Sequence, residues 1–108
     1  DPSMSLSDGA CTKSIEIDVT TVDVFAADNK LDVGIIKIDA EGAEQTVLRG
    51  AVETIKKSKP ILLVSIYHNV SDFMDIKPWI DGLGLDYKYK ITKLEPTTFI
   101  EETMLICY

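Results

Sequence analysis

Asp39, Glu41 and Glu44 place three carboxylates within six residues, and Gly42 sits among them. They directly follow the apolar run from Val33 to Ile38. The stretch from Ile35 to Glu44 reads as a strand, a sharp turn and the start of a helix. In open α/β sheets, ligands bind in the crevice at the carboxyl ends of the strands, so acidic groups here are placed to hold a ligand or act on one. A second apolar run, Ile61 to Ile66, ends in Tyr67, His68 and Asn69. His68 is the only histidine, and a neutral imidazole can take a proton near neutral pH. Asp39, Glu41 and Asn69 are oxygen ligands of the kind Mg²⁺ accepts. Oxygens from two strand ends do not alone make a metal site, so no metal ligand is assigned and Mg²⁺ stays an alternative.

Each residue also has a plainer reading. His68 can be an incidental loop histidine. Glu41 and Glu44 can answer the free N–H groups and dipole of a helix start. Asp23 reads as structural, as a cap in a first helical turn. Lys37 lies on the same side of its strand as Asp39 by the period of two. It is either a cation beside carboxylates or a lysine that reaches solvent along an apolar stem.

The elements that must carry these residues follow from periodicity. Residues 1–14 lack a period and are rich in Ser, Asp and Gly, so a loop or frayed start is expected. Ile15, Ile17 and Val19 alternate with Glu16 and Asp18, which predicts a half-buried strand. Thr20 or Thr21 caps a short helix from Val22 to Ala27. Val33 to Ile38 is apolar on both faces and suits the middle of a parallel sheet. Ala43, Val47, Leu48, Ala51, Val52 and Ile55 form one helical face, with Gly50 marking a bend or a close contact. Pro60 ends that helix. Pro78 is tolerated only in a first turn, which places the next main helix from Ile76 to Leu83. Tyr87 to Thr92 and Met104 to Tyr108 read as strands, joined by a loop containing Pro96. Strands alternating with helices predict a parallel sheet with right-handed crossovers, and the last two strands can pair antiparallel.

The totals narrow the function. The chain has 108 residues, enough for one small domain, and a net charge of −7 with a pI of about 4.5. Nucleic-acid binding relies on a basic surface, and only the short group Lys56, Lys57 and Lys59 is present. No apolar run approaches the roughly 18 to 20 residues of a membrane helix, and the start does not read as a signal peptide. Cys11 and Cys107 form no metal-type cluster, so a reduced, cytoplasmic chain is expected.

Several blocks then resemble one family. Lys37 to Glu44, followed by Val47-Leu48 and Gly50-Ala51, is similar to the signature of FkbM-type methyltransferases. Thr21-Val22-Asp23 resembles that family's threonine–hydrophobic–aspartate step. Lys59-Pro60 with Ile61 to His68 resembles its next strand. The resemblance covers most of residues 15 to 90. It implies an α/β fold: the second half of a Rossmann-like class I methyltransferase sheet, strand-helix-strand-helix-strand-strand, mostly parallel with an antiparallel last strand.

The resemblance also implies an S-adenosylmethionine-dependent O-methyltransferase acting on a hydroxyl of a sugar, glycan or polyketide-like acceptor. His68 and Asp39 are then the catalytic candidates. Asp39 and Glu41 face the methionine end of S-adenosylmethionine, and Lys37, Tyr67 and Asn69 contact the acceptor. The Gly-rich turn that holds most of that cofactor follows a strand in the family. Here the only G-x-G, Gly82-Leu83-Gly84, follows a helix, so the chain alone is expected to be inactive. Ser65 stands where the family usually has a glutamate, so acceptor contacts differ. A non-catalytic assembly domain is the alternative, with a homodimer through the Val33–Ile38 strand.

Overall fold

The structure is a computed structural model that describes residues 3–7, 14–93 and 103–108, with the backbone alone for 3–7. The elements run β1 (Ser3–Ser7), β2 (Ser14–Asp18), α1 (Val22–Asp28), β3 (Ile35–Ile38), α2 (Glu44–Arg49) and α3 (Val52–Ser58). They continue with β4 (Ile61–Ser65), α4 (Val70–Asp81), β5 (Tyr89–Lys93) and β6 (Thr103–Cys107). Four strands form one sheet in the order β3-β4-β6-β5. β3 and β4 are parallel, and β6 runs antiparallel to both β4 and β5. Three strands therefore share a direction and the last strand in the chain opposes them, as the second half of a methyltransferase sheet requires.

The core follows from alternation and helical spacing. Ile36 and Ile38 are buried while Ile35 and Lys37 are exposed. Leu62 and Val64 of β4 and Leu105 and Cys107 of β6 join them. Leu48, Ala51 and Ile55 cover this sheet from α2 and α3, and Ile76 and Ile80 from α4. Each Leu, Ile or Val among them contributes about 1.5–3 kcal/mol when fully buried.

Five expectations are corrected. Residues 3–7 are not loop: β1 pairs antiparallel with β2 as a separate two-stranded sheet. β2 is exposed along its whole length rather than half-buried, because among the described elements β1 alone packs closely against it. β3 is an edge, with β4 as its one partner among the described residues, and Ile35 is 61% exposed. Its apolar composition follows from lying at the rim of the core, not from burial on both faces. Ile15 to Val19 does not fold back to cover it.

The predicted helix from Ala43 is two helices, broken at Gly50 and Ala51. A Cβ on Gly50 would stand 3.2 Å from Thr21 Cβ and Cγ2, so both a bend and a close contact are present. α4 begins at Val70, well before Pro78, which lies inside the helix. Burial of Ile76 and Ile80 on either side of Pro78 outweighs the one hydrogen bond that proline removes. The predicted loop around Pro96, like Cys11, falls outside the described residues. Cys107 is a free, buried thiol, and no described helix is long and apolar enough to cross a membrane.

Candidate functional site

The crevice lies where β3 and β4 end side by side, with Ile38 paired to Val64. From Ile38 the chain passes Asp39 and Ala40 and then turns sharply. Glu41 takes a left-handed φ of 51° and Gly42 a φ of 104°, conformations costly for most side chains. The reversal allows Glu44, the first residue of α2, to reach back into its own turn. Its Oε2 accepts from the Ala40 N–H at 2.6 Å and its Oε1 from the Gly42 N–H at 2.9 Å. Glu44 is completely buried, so a carboxylate read as a helix-dipole partner is instead the fixed centre of the turn.

His68 comes to this carboxylate from β4. Its Nδ1 lies 3.1 Å from Glu44 Oε2, and its Nε2 lies 3.4 Å from Glu41 Oε2 and 3.7 Å from Asp39 Oδ1. The side chain is 12% exposed, and both ring nitrogens are shut from solvent without a hydrogen bond of good geometry. These contacts are therefore electrostatic approaches rather than aligned hydrogen bonds. Asp39 and Glu41 are exposed on the open side of the cluster. The Tyr67 ring lies against the imidazole at 4.0 Å between centroids, tilted by 33°.

A second network holds the two strand-end turns at this spacing. The Asn69 side-chain amide donates to the Gly42 carbonyl at 3.0 Å and to Asp72 Oδ2 at 3.3 Å. Gln45 Nε2 donates to Asp72 Oδ1 at 3.0 Å. Asp72 is buried. It thus ties α2, α4 and Asn69 together, and it was not among the residues singled out by sequence. Its position in the first turn of α4, three residues after Asn69, was the available signal.

The structure brings Asp39, Glu41, Tyr67, His68 and Asn69 to one place. Lys37 is the exception. It is exposed on β3, and the group that stands beside Asp39 and Glu41 is the His68 imidazole. Asn69 faces Gly42 and Asp72 with its amide, which makes it a brace between the turns. Asp23 is structural as expected, but it caps a different helix from its own. Its carboxylate accepts from the N–H groups of Glu53 and Thr54 and from the Thr54 hydroxyl, while Thr21 caps α1. Gly82 and Gly84 follow α4 rather than a strand. An open groove between α1 and α3, lined by Asp23, Lys30, Glu53 and Lys57 among others, borders the segments that enter β3 and β4. It lies away from the carboxyl ends and contains no histidine or cysteine.

A family model described as the methyltransferase FkbM domain matches residues 3–91. The chain belongs to the FkbM methyltransferase family. Among solved structures, it is similar to methyltransferase FkbM from Methylobacillus flagellatus KT, with a TM-score of 0.67 and 26% identity. That match covers 98% of this chain and 25% of the solved one, so the chain spans a quarter of the length of this relative. Among curated proteins, none matches. The cluster of Glu44 and His68 with Asp39 and Glu41 thus sits inside the FkbM domain match, at the ends of the strands that carry its signature.

Proposed function

We propose that the chain forms the acceptor side of an S-adenosylmethionine-dependent O-methyltransferase of the FkbM type. Its acceptor is a hydroxyl on a sugar, glycan or polyketide-like molecule. The observation that carries this reading is the His68 imidazole set among carboxylates at paired strand ends. Glu44 beside Nδ1 favours the tautomer with hydrogen there, which leaves the Nε2 lone pair on the side of Asp39 and Glu41. Nε2 then takes the proton of the acceptor hydroxyl, and Asp39 beside it stabilises the imidazolium that results. The exposed carboxylates of Asp39 and Glu41 suit the cationic methionine end of S-adenosylmethionine. That cofactor supplies the methyl group, on a sulfonium. Tyr67 and Asn69 flank the acceptor. No described strand is followed by a Gly-rich turn, so the rest of the cofactor cradle falls to other parts of the protein and the isolated 108 residues are inactive.

The test is transfer of a labelled methyl group from S-adenosylmethionine by the full-length protein that carries this chain, offered sugars, glycans and polyketide-like alcohols. Label on an acceptor oxygen supports the reading. Cofactor binding without transfer to any hydroxyl class overturns it.

A second reading, assembly through pairing of strands, is favoured by β3. It has one strand partner among the described residues, and an unpaired edge invites another chain. Light scattering distinguishes it: a concentration-dependent dimer disrupted by Ile35→Pro supports assembly, and a monomer at all concentrations rejects it.

A further inference from the structure

We propose that Asp39, Glu41 and His68 bind a divalent transition cation of zinc type. The inference rests on the geometry of the cluster and not on methyl transfer. The Glu44 carboxylate is held by two backbone N–H groups and stands 3.1 Å from His68 Nδ1. Metal-binding histidines characteristically give their other ring N–H to a carboxylate or carbonyl, which fixes the tautomer and orients the ring. Glu44 is placed for that role. Nε2 then offers a lone pair, shut from solvent and without a hydrogen-bond partner.

What faces that lone pair is unusual. Glu41 Oε2 and Asp39 Oδ1 lie 3.4 and 3.7 Å away, and the three atoms all lie within 4.8 Å of one another. Three electron-pair donors this close together repel unless something positive stands among them. The spacing identifies what fits. Nitrogen-to-oxygen hydrogen bonds close to about 2.7–3.2 Å. Ligands about 2.0–2.2 Å from a tetrahedral ion stand about 3.3–3.6 Å apart. The Glu41 separation falls in that range and the Asp39 separation just beyond it, and both are longer than a hydrogen bond.

The donor set selects the ion. One imidazole with two carboxylates suits zinc and its neighbours in the first transition row, whereas Mg²⁺ and Ca²⁺ prefer oxygen alone. The exposure of Asp39 and Glu41 gives the ion a path in and leaves a fourth position for water or an acceptor oxygen. The cation and an acceptor's proton compete for one lone pair, so the metal-loaded protein is the form in which His68 cannot serve as a base.

The experiment is calorimetric titration of the metal-stripped protein with ZnCl₂, joined to absorption spectra with Co²⁺. We expect one site, a visible Co²⁺ band typical of four or five ligands, and loss of both in His68→Ala. Asp39→Asn and Glu41→Gln, which change exposed side chains and should leave folding intact, each weaken binding. Glu44→Gln weakens it by about tenfold, the effect typical of a residue that orients a ligand. No binding heat, binding unchanged in His68→Ala and Asp39→Asn, or a weak octahedral Co²⁺ spectrum overturns the proposal. Neither measurement needs cofactor or acceptor, so failure of the methyl-transfer reading leaves this result standing, and the reverse also holds.

Discussion

The Asn69 side-chain amide donates to the Gly42 carbonyl at 3.0 Å, a bridge between the turn after β3 and the turn after β4. Asn69 is the N-cap residue of α4 but makes no side-chain cap bond there. Its amide is used across the crevice instead. Asp72, buried behind it, accepts from both Asn69 and Gln45. Asp72→Ala therefore removes one acceptor each from Asn69 and Gln45 and a buried side chain between them, a loss of about 1 kcal/mol or more, read as a lower urea midpoint with an unchanged slope. Asp72→Asn retains the volume and should recover part of it. Equal stability for Asp72→Ala and wild type would mean that the network does not brace the site.

Gly42 tests the same bridge from the other side. Its φ is 104°, and a Cβ there would stand 3.3 Å from Asn69 Nδ2. Gly42→Ala thus combines backbone strain, on the order of 1–3 kcal/mol, with displacement of Asn69. In a methyl-transfer assay we expect lower turnover as well as lower stability. Loss of stability with unaltered turnover per folded molecule would show that the turn does not set the site's geometry.

Asp39→Asn and His68→Ala should behave differently from these braces. Asp39 is about half exposed, so little packing depends on it, whereas His68 is largely buried at the crevice wall. We expect thermal stability to change by about 1 kcal/mol or less for Asp39→Asn. Turnover in the full-length protein falls by about 100-fold or more in His68→Ala, the usual scale for loss of a proton acceptor. A collapse of the melting temperature with normal turnover per folded molecule would make both residues structural.

The parts legible in the sequence are those with local causes. The apolar runs of β3 and β4, with Pro60 before one and Gly42 after the other, fix the strand ends and so the places of Asp39 and His68. β1 was obscured because Met4 and Leu6 alternate with serines, a period of two hidden by loop-like composition. α4 was shortened because Pro78 weighs heavily in any local reading. In the fold Pro78 and Met74 are on the exposed side, where a carbonyl without its helix donor can bond water. The approach of Glu44 to His68 was not legible. It depends on two consecutive positive φ angles and on strand pairing that brings together residues 24 positions apart.

Gly50 offers a test of the helix break. Its φ and ψ of −76° and −2° suit alanine, so backbone preference alone predicts that Gly50→Ala stabilises. The 3.2 Å approach to Thr21 predicts the opposite, a loss of about 1–3 kcal/mol from overpacking. Thr21→Ser removes Cγ2 yet keeps the hydroxyl that caps α1. The double variant should therefore recover part of the loss, a positive coupling in a double-mutant cycle. A stabilised Gly50→Ala would show that α1 can move away from the α2–α3 junction.

The alkaline limit of stability should trace to the sheet's far side. Burial pushes the Cys107 thiol up to about 12 from an ordinary value of 9.0. Burial, followed by the charge of a nearby Cys107 thiolate, pushes the Tyr87 phenol up to about 12 from 10.0. Both groups are neutral when protonated, and the folded chain holds those protons more tightly than the unfolded chain. Their contribution is fully present below the unfolded values, and it is lost as pH rises toward the folded ones. Stability should therefore decline from about pH 9 to pH 12. Cys107→Ala removes the first of the two groups, so its urea midpoint should be lower at pH 8 from the lost side chain but flatter above pH 9. An alkaline slope as steep in Cys107→Ala as in wild type would assign the decline to other groups.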